Sequence, residues 1–199
     1  MYKKEYSFIH ITENHLKVLA LFTIGEKRWY IREVHKKLEL SPRTAQLILE
    51  DFEHKAILFS DVKGKIKEYS LNKKSPHCKA YIIFAEYYKR LLFLQTHPFL
   101  REVLEKIIET CEGMVILFGS YAKENEKKES DVDLFIVGKC NLKKIQEYSQ
   151  VYSITISPKI YPLKIFQQKK KKDFLIKEVL EHHIILKGTE DYVSEVFVW

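Results

Sequence analysis

Two short stretches hold the residue types that could do chemistry. Ser130-Asp131-Val132-Asp133-Leu134-Phe135-Ile136-Val137 reads as a strand with two acids at its start. Side chains alternate across a strand, so Asp131 and Asp133 share a face and can hold one cation, while Val132 points the other way. Two like charges so placed repel unless something positive sits between them. Upstream, Met114 to Phe118 is an apolar run short enough for a buried strand, and it leads straight into Gly119-Ser120. A glycine at a strand exit lets the backbone approach a phosphate closely, and a serine hydroxyl with the following amides at a helix start can bind phosphate oxygens. An anion cradle and a cation clamp together suit a nucleotide with Mg²⁺, held by one or two carboxylates plus phosphate oxygens. Asp-x-Asp also occurs by chance at strand ends, and the neighbouring Gly-Ser is what argues against chance.

Gly119-Ser120, ten residues, then Asp131-Val132-Asp133-Leu134 resembles the signature of the DNA polymerase beta-like nucleotidyltransferase superfamily, specifically its minimal nucleotidyltransferases. The likeness extends from about residue 113 into the C-terminal region. It implies a small mixed sheet with flanking helices and Mg²⁺ on Asp131 and Asp133, the expected metal ligands and catalytic residues. It also implies a nucleoside triphosphate near Gly119 and Ser120, with Ser130 beside the acids, and transfer of a nucleoside monophosphate with release of pyrophosphate. In such a reaction the protein supplies mainly positioning and charge. Lys123 falls where many relatives carry an arginine, and reads either as a phosphate partner or as a solvated surface lysine. Glu124 stands where relatives often have glycine. Active relatives usually present a third carboxylate on a later strand, and the candidate strand, Val151 to Ser157, contains none. Glu147 and Asp173 lack the expected context. Losing a general base costs roughly 10²–10⁴ in rate, so nucleotide binding could outlast turnover.

The elements that precede this motif have a different character. Leu16, Leu19 and Ala20 predict a first helix after Thr12-Glu13, ended by Gly25, and Arg28 to Ile31 is a short extended segment. Ile31, Val34 and Leu38 mark one face of a second helix. Ser41-Pro42 is a cap followed by a first-turn proline, and Ala45, Ile48, Leu49 and Phe52 form the buried face of a third. Two strands, Ile57 to Val62 and Ile66 to Leu71, flank a Gly64 turn. This order resembles the winged helix-turn-helix domains of prokaryotic transcription regulators over about residues 10–72. The resemblance implies DNA contact by Arg43, Thr44 and Gln46 from the third helix, with Lys63 and Lys65 in the wing near the backbone. Ala56 departs from the glycine usual there and carries a modest cost if it enters the left-handed region.

The expected architecture is therefore α+β: a winged helix-turn-helix domain at 1–74, a helical connector at 75–112 and a nucleotidyltransferase-like mixed sheet with flanking helices at 113–199. Ser75-Pro76 opens a long helix to about Gln95, apolar on more than one face, and Pro98 opens another to about Cys111. Short helices are expected at 161–168 and 174–182, a basic turn at 169–172 and a last strand at 184–186. His182 and His183 read as surface residues, and the aromatic tail from Val193 to Trp199 as packing on a neighbour or partner.

Of the net charge of +7, the first 74 residues carry +5, which favours a polyanionic partner. The three cysteines have no CxxC pairing or nearby histidine at ligand spacing, so a disulfide framework or zinc site is not expected. No secretory signal or membrane span is visible, and the expected location is cytoplasmic. Expected ligands are a nucleoside triphosphate and Mg²⁺. Expected partners are DNA, a second copy of the chain through the helix from Pro76 to Gln95 and, by resemblance alone, a small helical toxin partner. Two functions follow: a Mg²⁺-dependent nucleotidyltransferase brought to its acceptor by a DNA-binding domain, or a DNA-binding regulator or antitoxin whose transferase-like domain only binds nucleotide or is inactive.

Overall fold

The computed structural model describes residues 10–24, 27–64, 66–127, 130–170 and 172–197. Gly25 and Lys65, the expected helix stop and wing cation, lie outside the described residues. The first element of the described residues is α1 (Glu13–Leu21), where the Thr12 hydroxyl caps by accepting from the His15 amide. Then come β1 (Trp29–Tyr30), α2 (Ile31–Lys37), α3 (Pro42–His54), β2 (Leu58–Lys63) and β3 (Ile66–Leu71). The strands form an antiparallel sheet in the order β1-β3-β2. Ser41 Oγ accepts from the Thr44 amide at 3.0 Å and Pro42 occupies the first turn of α3, so that terminus loses no backbone partner. Ala45, Ile48, Leu49 and Phe52 are buried, as their spacing predicts. Ala56 does enter the left-handed region, at φ 55°, at a cost of about 1 kcal/mol.

The second half opens with α4 (Cys78–Thr96) and α5 (Pro98–Glu109), followed by β4 (Cys111–Phe118), α6 (Gly119–Ala122), β5 (Val132–Cys140) and α7 (Leu142–Tyr152). It closes with β6 (Ile156–Tyr161), α8 (Leu163–Lys169), α9 (Phe174–Glu181), β7 (Ile184–Lys187) and α10 (Thr189–Val196). The sheet order is β6-β5-β4-β7, with β5 and β6 parallel and the other pairs antiparallel. A parallel neighbour needs a crossover, which α7 provides. Val115, Leu117, Leu134 and Ile136 pack on one face of this sheet with Val103, Leu104 and Ile107 of α5. Met114, Ile116, Phe135 and Val137 pack on the other with Phe166, Ile176 and Val179. Burial on both faces explains the continuous apolar runs in β4 and β5.

Several expectations change here. The strand expected at Val151–Ser157 is the end of α7 followed by β6, five residues further along. Proline is tolerated inside β6 because β6 is an edge strand, so Pro158 does not end it. No side-chain cap forms at Ser75-Pro76, and α4 begins at Cys78. The C-terminal residues Val193 and Phe197 bury themselves in this chain's own core, where the sequence suggested a partner.

His183, expected at the surface, is buried in a polar cluster that joins the two sheets through α4. Thr23, just after α1, accepts from Lys89 Nζ at 3.1 Å, and the same ammonium lies 2.9 Å from Glu86 Oε2 as an ion pair. Glu86 Oε1 is 3.0 Å from His183 Nε2, while Tyr192 OH lies 3.3 Å from His183 Nδ1. A neutral ring that donates from Nε2 to the carboxylate and accepts from the phenol at Nδ1 fits the Glu86 and Tyr192 contacts, with Lys89 Nζ also 3.2 Å from Nε2. Burial alone would raise the Glu86 carboxyl, but Lys89 and His183 more than reverse this and hold it at about 2. Burial, with Lys89 beside it, pushes His183 down. Nearby, Arg90 donates to the Leu186 carbonyl at 2.9 Å and Tyr87 to Glu190 at 2.8 Å, so α4 is fastened along its length to the C-terminal half.

Both buried groups bind protons more readily once unfolded, so stability should fall on acidification. The loss is expected below about pH 6.5 through His183 and between about 4.5 and 2 through Glu86. Glu86→Gln should cost about 3–5 kcal/mol near neutrality and remove the lower step. Denaturant melts across pH check this, and parallel wild-type and variant profiles at low pH would refute it.

Candidate functional site

The two halves of the sequence motif meet at the paired ends of β4 and β5. Phe118 pairs with Asp133, and Gly119 follows at once with φ 73°. A Cβ on Gly119 would lie 2.2 Å from Asp133 Oδ2, so the chain leaves β4 directly against the carboxylate. No other residue could do so without displacing it, which is the physical need for glycine here. α6 is only four residues long, so Ser120 lies in a tight turn of helix and not at the start of a dipole-bearing one. Ser120 is half-buried, with its carbonyl accepting from the Asn125 amide at 3.1 Å.

Asp133 is half-buried and Asp131 exposed. The Asp133 carboxyl is raised above its ordinary value first by burial, then by the Asp131 carboxylate, with Glu178 adding to the effect while Lys159 and Lys123 oppose it. Neighbouring hard oxygen donors with unfavourable mutual charge fit a small divalent cation, and the missing Cβ at Gly119 keeps the approach to them open. Among the described residues no third acid, histidine or cysteine completes a metal cage.

Ser130, the fourth nucleotide candidate, accepts from the Lys127 amide at 2.8 Å. Lys123 is neither bare nor simply solvated, since its Nζ pairs with Glu178 of α9 at 2.5 Å. Three further residues were not evident in the sequence. Ser157 of β6 lies opposite Asp133, and Lys159 two residues on shares its face. Glu178 is the third acid of the neighbourhood, brought by a helix and not a strand. An alternation count carried past Ser157 could have found the first two, but nothing local marks Glu178.

The candidate DNA contacts are placed differently from one another. Arg43 is exposed and makes no ion pair among the described residues. Thr44 bonds the Ser41 hydroxyl at 2.7 Å, and Gln46 donates to Glu50 at 2.8 Å. Lys63 pairs with Glu68 at 3.0 Å, and Arg28 lies within 3.7 Å of Asp61 and 3.6 Å of Glu68. The hairpin thus answers its own cations with acids.

Residues 105–192 match the family described as Polymerase beta, Nucleotidyltransferase. The span runs from within α5 into α10 and contains both halves of the site, so this segment is similar to nucleotidyltransferase domains of that family. No curated protein and no solved structure matches the chain. No helix among the described residues is long and apolar enough to cross a membrane.

Gly119→Ala should destabilise the protein by about 1–3 kcal/mol through backbone strain, and more through the clash with Asp133. In a double-mutant cycle, adding Asp133→Ala should restore part of the loss. Strict additivity in thermal melts would show that the two residues do not touch.

Proposed function

We propose that this protein is a Mg²⁺-dependent nucleotidyltransferase that moves a nucleoside monophosphate from a nucleoside triphosphate to an acceptor, and that its N-terminal unit is a DNA-binding winged helix-turn-helix. The observation that supports it most is the contact of Gly119 with the Asp133 carboxylate inside the segment matched to the nucleotidyltransferase family. Asp131 and Asp133 would hold the metal, which supplies charge neutralisation at the phosphates and polarisation of the reacting phosphorus. Gly119 and Ser120 let the triphosphate lie against the backbone. Lys123 would exchange Glu178 for a phosphate, and Ser130 holds the loop that presents Asp131. The acceptor oxygen bonds to the α-phosphorus, the α–β anhydride bond breaks, pyrophosphate leaves and the acceptor's proton is released.

A second reading is favoured by a specific feature. β6 presents Ser157 and Lys159, and no acid, toward Asp133, which suits a nucleotide-sensing regulator or an antitoxin without turnover. In both readings Arg43 contacts DNA, and Phe84 and Leu91, exposed seven residues apart on α4, offer a face for a second copy or a helical partner.

Calorimetric titration of each nucleoside triphosphate with and without Mg²⁺ tests the site. Metal-dependent binding should occur in the wild type and vanish in Asp131→Asn/Asp133→Asn, and absence of binding in the wild type would end both readings of the site. Label transfer from a bound nucleotide to protein or nucleic acid then separates enzyme from sensor. Arg43→Ala should weaken duplex DNA binding by about 1–3 kcal/mol, read by anisotropy at fixed salt, and an unchanged affinity would remove Arg43 from the interface.

A further inference from the structure

Between residues 156 and 177 the chain carries seven lysines and one aspartate, so this segment alone has a net charge of +6. That segment is β6, α8 and the start of α9, and it borders the candidate site. Lys159 acts electrostatically on Asp133, and Glu178 of α9 holds Lys123. Lys170 is engaged with the Glu195 carbonyl. Lys159, Lys164, Lys169, Lys172 and Lys177 are exposed and form no ion pair among the described residues. Phe174, the first residue of α9, is 83% exposed. Residues four apart share a helix face, so this ring stands about 6 Å along α9 from Glu178, the residue that touches the site lysine.

We propose that the surface of β6, α8 and α9 binds a single-stranded nucleic acid, with phosphates along Lys159, Lys164, Lys169, Lys172 and Lys177 and a base stacked on Phe174. A basic track with an unpartnered aromatic ring matches the chemistry of a strand whose bases are free, because a duplex keeps its bases stacked inside. Lys159 lies two residues past the partner of Asp133 on the same face of β6, so a strand bound here would reach the site as its acceptor. That last consequence rests on the nucleotidyltransferase reading, whereas the binding does not.

The test uses the full chain and fluorescein-labelled oligo(U) and oligo(dT) of about 20 nucleotides, longer than a typical single site. Unlabelled duplex DNA in excess keeps the N-terminal unit occupied. Phe174→Ala should weaken binding about five- to a hundredfold, with Phe174→Trp retaining it. Replacing Lys164, Lys169, Lys172 and Lys177 together with glutamine should weaken it further and lower the magnitude of the salt slope by about 2–3. Oligo(U) and oligo(dT) compared directly tell RNA from DNA. Circular dichroism and nucleoside triphosphate titration should be unaltered in these variants. If nucleotide titration fails in the wild type while strand binding responds as stated, the functional reading falls and this inference stands. Affinity indifferent to both sets of variants overturns it, as does binding to phosphatidylglycerol vesicles without binding to either oligonucleotide.

Discussion

The rest of the structure depends on one buried charge. Glu86 has no exposure to solvent, and an ionised carboxylate in that position is tolerable only if its partners arrive from elsewhere in the fold. Lys89, from the same helix, is itself held by Thr23 at the end of α1, and His183, from just before β7, is held by Tyr192 beyond it. The cluster around Glu86 therefore forms only with the end of α1, α4 and the segments flanking β7 in place together. The apolar core runs on through the same junction, with Val18 and Phe22 in one cluster with Ile82, Ile116 and Tyr192. An apolar contact tolerates sliding, but a hydrogen-bonded ion cluster does not, so the polar part of the joint sets the orientation.

The candidate site has the opposite electrostatic logic. At Glu86 each charge is answered within the chain, whereas at Asp131 and Asp133 two acids stand together and Asp133 is raised by burial and by its neighbour. Such a pair costs stability that the fold gains elsewhere, and a cation with phosphate ligands would relieve it. Lys123 and Glu178 form an ion pair at the border of this site, one partner from the α6 turn and the other from α9. An incoming phosphate competes with a carboxylate for the same ammonium, so the pair orders the lysine before any ligand arrives.

The N-terminal unit shows how a cation's sequence position and its availability differ. Arg43 remains open to a partner, while Lys63 and Arg28 spend their charge on Asp61 and Glu68 across the hairpin. The acids lie directly opposite each other in the β2–β3 register, a repulsive placement that the two cations relieve. The charge distribution along the chain was similarly obscured. A split at residue 74 assigns +5 to the first part, and the acidic residues flanking 156–177 cancel most of the lysine excess between them.

By itself the sequence determined what depends on neighbours along the chain. Ser41-Pro42 sets the start of α3, the spacing from Ala45 to Phe52 its buried face, and Gly119-Ser120 with Asp131 and Asp133 the residues of the candidate site. These follow from backbone period, capping and the conformational freedom of glycine, all of which act within a few residues. Only the tertiary structure decided which distant groups meet. It set β6 beside β5 in a register that puts Ser157 opposite Asp133, brought Glu178 to Lys123, and buried His183 against Glu86. Those outcomes depend on sheet order and helix packing, because a residue tens of positions away leaves no trace in local periodicity until the core places it.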